Sequence, residues 1–179
     1  MNPDRLFRYL DSWRDLPTYQ LERRADIFFA LYLHEALEAR LGIELDERLI
    51  PELPLRRHVL DPAHPDDGLS WKADYVARAR DRSRAFLIEL KTDARSNRAQ
   101  QDTYLDRACQ VGLGPILQGI VDIASRSKSR AKYLALLTEL EALEWLELPE
   151  GIGERAGGWA SRLRDVRMLS NAPIEVVYV

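Results

Sequence analysis

The chain of 179 residues has a single cysteine, Cys109. That excludes an intramolecular disulfide and a cysteine-based zinc site, and a lone thiol reads as a small core residue in a reducing compartment. No apolar run approaches the length needed to span a bilayer, and the opening MNPDRLFRYLDSWRD has no stretch resembling a signal peptide. The expected location is therefore cytoplasmic. Strong charge of one sign is lacking too: the net charge of −3 gives no overall sign of nucleic-acid binding. Internal repeats and low-complexity linkers are missing. What remains is 46% hydrophobic and 31% charged, the profile of a globular chain long enough to bury its own core as one domain over residues 1–179.

Charge is uneven along the chain. Residues 72–98 carry Lys72, Arg78, Arg80, Arg82, Arg84, Lys91, Arg95 and Arg98 against four acids, whereas 139–154 carries six glutamates. A local basic patch is compatible with phosphate contact, and equally with a solvated hairpin face.

Asp4 is expected to cap a short amphipathic helix ending before Pro17. A longer helix is expected over 21–41, closed by Gly42 as C-cap. Pro51 and Pro54 precede an expected strand at 55–60, LRRHVL, and DPAHPDDG (61–68) is turn chemistry. Strands are expected at 70–80 and 84–92 around a turn at Asp81-Arg82-Ser83. A helix over 97–111 breaks at Gly112 to Pro115 and resumes to 127. AKYLALLT (131–138) reads as a buried strand, and 139–148 fits either helix or strand. A loop at 149–158 and a helix at 159–168 lead to a last strand, 174–179. The order gives an α/β class.

The sharpest local feature is AFLIELK. Phe86, Leu87, Ile88 and Leu90 suit a central strand, whereas Glu89 and Lys91 do not. Side chains two apart share a face, so both charges point the same way. An ion pair in an apolar strand costs desolvation, which argues for a cleft or for chemistry. A turn centred on Asp81-Arg82 places Asp74 opposite Glu89, with Cβ atoms about 5 Å apart. Two carboxylates that close repel unless a cation lies between them. Mg²⁺, which binds through one or two carboxylates plus waters and phosphate oxygens, resolves the conflict. Lys91 beside it suits positioning or deprotonating an attacking water. The competing reading is a surface salt bridge.

Asp74 followed by Glu89-Leu90-Lys91 resembles the PD-(D/E)xK nuclease superfamily. Ala73 stands where that pattern has Pro, and the literal Pro65-Asp66 falls in a turn, so Asp74 is preferred. RAQQDTYLDRA supplies Gln100 and Tyr104, similar to the Gln-x-x-x-Tyr motif of the RecB-like branch; a spacing of four puts both on one helix face. LYLHEALEARLG offers His34 for that branch's upstream histidine, with Glu35 as second candidate and Glu38 as fallback, although Ala30 replaces the expected Gly. The resemblance covers roughly residues 25–140.

The resemblance implies a restriction-endonuclease-like core, a mixed central sheet flanked by helices, here with an N-terminal helical segment. It implies phosphodiester hydrolysis, of DNA rather than RNA, with Mg²⁺ or Mn²⁺ held by Asp74, Glu89, the Leu90 carbonyl and His34. Lys91, Gln100 and Tyr104 join Asp74 and Glu89 as catalytic residues, and Arg95, Arg98, Lys72 and Arg78 meet substrate phosphates. Two alternatives stay open. One is a catalytically inactive nucleic-acid-binding or regulatory subunit of the same fold. The other is an interaction protein using the acidic 139–154 region. A place within a larger repair or defence system fits the chain's size.

Overall fold

The hairpin that drew attention in the sequence is the middle of the sheet. In the computed structural model, which describes residues 3–13, 16, 25–90, 99–153 and 158–179, β2 (Ser70–Arg78) and β3 (Ala85–Glu89) pair antiparallel. The turn between them is built as its residues suggest. Arg82 takes a left-handed φ of 65°, and the Ser83 amide donates to Asp81 Oδ1 at 2.9 Å. On one side β1 (Ile50–Arg56) pairs antiparallel with β2; on the other β6 (Ile174–Tyr178) pairs parallel with β3. The order β1-β2-β3-β6 makes a mixed four-stranded sheet, and the α/β class holds. The last pairing is parallel, so the chain must cross over between β3 and β6. Helices α4 (Ala99–Val111), α5 (Leu113–Arg126) and α6 (Arg130–Ala142) lie along that route, with a small ribbon of β4 (Leu146–Glu147) and β5 (Arg167–Met168). The short α7 (Trp159–Arg162) and a 3₁₀ turn at Leu163–Asp165 come between the ribbon strands.

The N-terminal helical segment is α1 (Pro3–Trp13) and α2 (Ala25–Leu41). Asp4 lies in the first turn of α1 rather than before it, where a carboxylate suits the positive end of the helix. The expected residues 21–24 of the second helix lie outside the described residues. Gly42 ends α2 as its sequence predicts, with φ +67° and its amide on the Glu38 carbonyl at 2.9 Å. Trp13 is buried and its indole N–H donates to the Leu49 carbonyl at 2.9 Å, fastening α1 beside the sheet. Among the described residues no helix is long and apolar enough to cross a membrane.

Two expected strands are corrected. The first, 55–60, sits earlier: β1 ends at Arg56, and Arg57–Leu60 is one turn of helix, α3. Pro51 and Pro54 lie inside β1 rather than before it. That is tolerated because β1 is the edge of its sheet, where a missing amide donor need not break a ladder. The second, 131–138, is helical. Buried Tyr133, Leu136, Leu137 and Leu140 recur at helical spacing, and an eight-residue apolar window was too short to show that period.

Arg56 ties the edge strand to its surroundings. Its guanidinium, buried among α5 and the 61–68 turn, meets both Asp122 and Asp66, and Arg126 also reaches Asp66 at 3.1 Å. Gly119 of α5 permits this approach. A Cβ there would come within 3.2 Å of the Arg56 Cβ and 3.1 Å of the Val59 side chain. The guanidiniums of Arg56 and then Arg126 hold the Asp66 carboxyl below its ordinary value of 3.8. A carboxylate whose folded pKa is lowered contributes stability above the unfolded pKa and loses it as pH falls through the folded one. Asp66→Asn is therefore expected to flatten the loss of stability between about pH 5 and pH 2, read by urea unfolding at several pH values. An unchanged slope would contradict the role given to this carboxylate.

Candidate functional site

Tyr75 pairs with Ile88 and Val76 with Leu87, so the next step along the ladder sets Asp74 of β2 opposite Glu89 of β3. Facing positions on neighbouring strands share a side of the sheet, with Cβ atoms about 5 Å apart. The register that the turn predicts is therefore the one the chain adopts. Asp74 is half-buried, and its Oδ2 accepts the Leu90 amide at 2.8 Å, which fixes the carboxylate at the end of β3. Glu89 is 3% exposed. Its own carbonyl accepts the Val179 amide at 2.9 Å, so the C-terminal strand anchors the backbone beneath it.

A third carboxylate lies on the next strand beside this row, turned to Lys72 rather than grouped with the other two. Pro51 pairs with Tyr75 and Leu53 with Ala73, which places Glu52 of β1 opposite Asp74 from the other side. Glu52 holds a left-handed φ of 55° within a strand, a conformation costing of order 1–3 kcal/mol for a residue with a side chain. Its carboxylate meets Lys72 Nζ at 2.7 Å. Lys72 lies two positions before Asp74 on β2, so this ion pair borders the row. Glu52 was not among the expected site residues because Pro51 and Pro54 read as chain breakers. The signal was there: IPELPL holds one acid among apolar neighbours, the logic that singled out Glu89.

Tyr104 of α4 braces the same strand. Its hydroxyl donates to the Lys72 carbonyl at 2.9 Å, and its ring stacks on Trp71 with centroids 5.0 Å apart and planes 9° from parallel. At 7% exposure it positions β2 rather than reaching outward. Gln100 lies one turn earlier on α4; its side chain is outside the described residues, as are Lys91, Arg95 and Arg98.

Other expected residues are placed elsewhere. His34 is buried, its Nε2 is 2.9 Å from the Asp46 carbonyl and its Nδ1 is 3.7 Å from Glu38 Oε2. Glu35 is exposed, and Glu38 accepts the Leu45 amide at 2.9 Å. Among the described residues no three histidine, cysteine, aspartate or glutamate side chains come close enough together to hold a metal ion. The structure thus brings Asp74 and Glu89 together without His34.

Arg78 is a second correction. It is 6% exposed, donates through Nη1 to the Leu143 carbonyl, and pairs through Nη2 with Asp46 at 2.7 Å. Its guanidinium braces the interior and is not presented to a phosphate. The rest of the hairpin's positive charge is matched locally: Arg80 by Glu44, Arg82 by Glu144 and Arg84 by Glu175. The acidic 139–154 region is partly spent the same way, with Glu139 on Arg48 and Glu147 on Arg167. Among the described residues, the hairpin's arginines are therefore largely paired with carboxylates.

No family model, no curated protein and no solved structure matches this chain.

Proposed function

We propose that the protein is a divalent-metal-dependent nuclease, with Asp74 and Glu89 as its metal-binding carboxylates. The observation that supports this most is the facing of Asp74 and Glu89 across β2 and β3, one of them buried. Two carboxylates held at that separation favour a cation between them, and the oxygen-only donor set suits Mg²⁺ or Mn²⁺. The Leu90 carbonyl, in the residue whose amide Asp74 accepts, would offer a further oxygen ligand. A mixed sheet with helices along its crossover is compatible with the restriction-endonuclease-like core that the sequence resembles.

The bound cation supplies positive charge against the phosphate oxygens. The chain's own groups do the rest. Asp74 and Glu89 hold the cation on the sheet, and the Lys72–Glu52 pair and Tyr104 keep β2 in register. Lys91, two residues beyond Glu89, orients the attacking water and offsets charge gathering on phosphorus. Water attacks phosphorus, the P–O bond to the leaving sugar oxygen breaks, and that oxygen takes up a proton. DNA is the proposed substrate.

The test is incubation of plasmid, linear duplex and single-stranded DNA with Mn²⁺, beside Lys91→Ala. Cleavage by the wild type and a loss of about a hundredfold or more in the variant are expected. Equal cutting by both would remove Lys91 from the reaction and mark the activity as contaminating. Retention of DNA without cleavage by either would favour the non-catalytic binding subunit.

A further inference from the structure

At the far end of β2 from Asp74, α1 and the 46–49 segment enclose a cleft of about 480 Å³ whose lining includes Arg5, Arg8, Arg48 and Arg80. Neither Asp74 nor Glu89 lines it, so the cleft is separate from the proposed metal centre. Three of the arginines meet carboxylates: Arg8 with Glu47 at 3.3 Å, Arg48 with Glu139 at 3.0 Å and Arg80 with Glu44 at 2.9 Å. Arg5 differs. Its Nε donates to the Tyr9 hydroxyl at 3.2 Å and its guanidinium lies 5.7 Å from the centre of the Tyr9 ring. Its Nη2 is buried and meets no acceptor among the described residues.

A buried guanidinium nitrogen without an acceptor is costly, and the cost is relieved when the Arg5 side chain turns that nitrogen toward an oxyanion in the cleft it lines. We propose that this cleft binds a phosphate monoester of nucleotide size, with the phosphate seated on Arg5. Arg8 and Arg48 flank it, each committing its Nη1 to a carboxylate and carrying further donors on a five-donor group. Ion pairs as exposed as Arg8–Glu47 hold weakly, so their arginines can share a dianion that accepts two parallel hydrogen bonds. The Tyr9 hydroxyl, which donates to the Glu47 carbonyl at 2.9 Å, fixes Arg5 from below. Asp46, Glu47 and Glu139 also line the cleft. They oppose a long polyanion, yet they suit the hydroxyl and amino donors of a nucleoside attached to one phosphate. The volume falls in the range of small-ligand sites.

Calorimetric titration of the whole chain with AMP, inorganic phosphate and adenosine tests this and separates the two sources of phosphate. Saturable AMP binding is expected, with adenosine inert. Arg5→Gln is expected to weaken AMP binding by about tenfold or more. Arg5 is partly buried, so Arg8→Gln, whose ion pair with Glu47 is exposed on both sides, provides a second variant, expected to weaken binding severalfold at unchanged Tm. Phosphate bound as tightly as AMP would keep the site and identify its ligand as the free ion. No saturable binding of either, adenosine binding as tightly as AMP, or affinity unchanged in both variants would overturn the proposal. Asp74→Asn serves as control, because it alters the metal centre and leaves this cleft intact.

Discussion

Glu89→Gln is expected to lower Mn²⁺-dependent cleavage by at least about a hundredfold, the scale of losing one preorganised electrostatic group, and to leave the fold as stable as before or more so. Asp74→Asn should behave alike. The two carboxylates face one another across β2 and β3, and like charges directly opposite destabilise a sheet. Neutralising either relieves that repulsion, while an amide keeps the shape and, at position 74, an oxygen for the Leu90 amide. A residue kept for stability gives the reverse pattern. The comparison needs cleavage rates and thermal unfolding of the same preparations in the absence of metal. Lowered Tm with cleavage intact would make Asp74 and Glu89 structural.

Arg78→Met is expected to do the opposite, costing about 3 kcal/mol of stability with little effect on cleavage per folded molecule. The guanidinium is 6% exposed and connects Asp46 to the Leu143 carbonyl. Removing it strands a carboxylate that is itself only 21% exposed. Breaking a buried pair from one side leaves the partner charge uncompensated, which is why the loss exceeds that of a surface pair. For a chain of this length the shift in Tm is roughly 6–12 °C. Were Arg78 instead a phosphate contact, the variant would keep its Tm and lose affinity for DNA in a salt-dependent way.

How far the sequence could be read depended on whether the deciding interaction was local. The β2–β3 register was legible because a short turn centred on Asp81-Arg82 fixes which residues face each other, and Asp74 and Glu89 followed from it. Gly42 was legible for the same reason: a helix stop is a one-residue conformational requirement. The helix at Arg130–Ala142 was not, since its apolar run satisfied two periodicities until the buried set of Tyr133, Leu136, Leu137 and Leu140 chose between them. Nor was β1, whose two prolines are excluded from a central strand but not from an edge, and edge position belongs to the topology. The same two prolines mask Glu52. Arg78 and His34 turned on partners remote in the chain. Asp46 is thirty-two residues from Arg78 and twelve from His34, so nothing nearby announced that both side chains were already engaged in the interior.

Titration of the metal-free chain with Mn²⁺ by calorimetry tests most directly whether the carboxylates at positions 74 and 89 share an ion. The account predicts saturable binding of a single ion by the wild type, weakened by tenfold or more in both Asp74→Asn and Glu89→Gln. An isotherm unchanged by either substitution, or no binding at all, would contradict it.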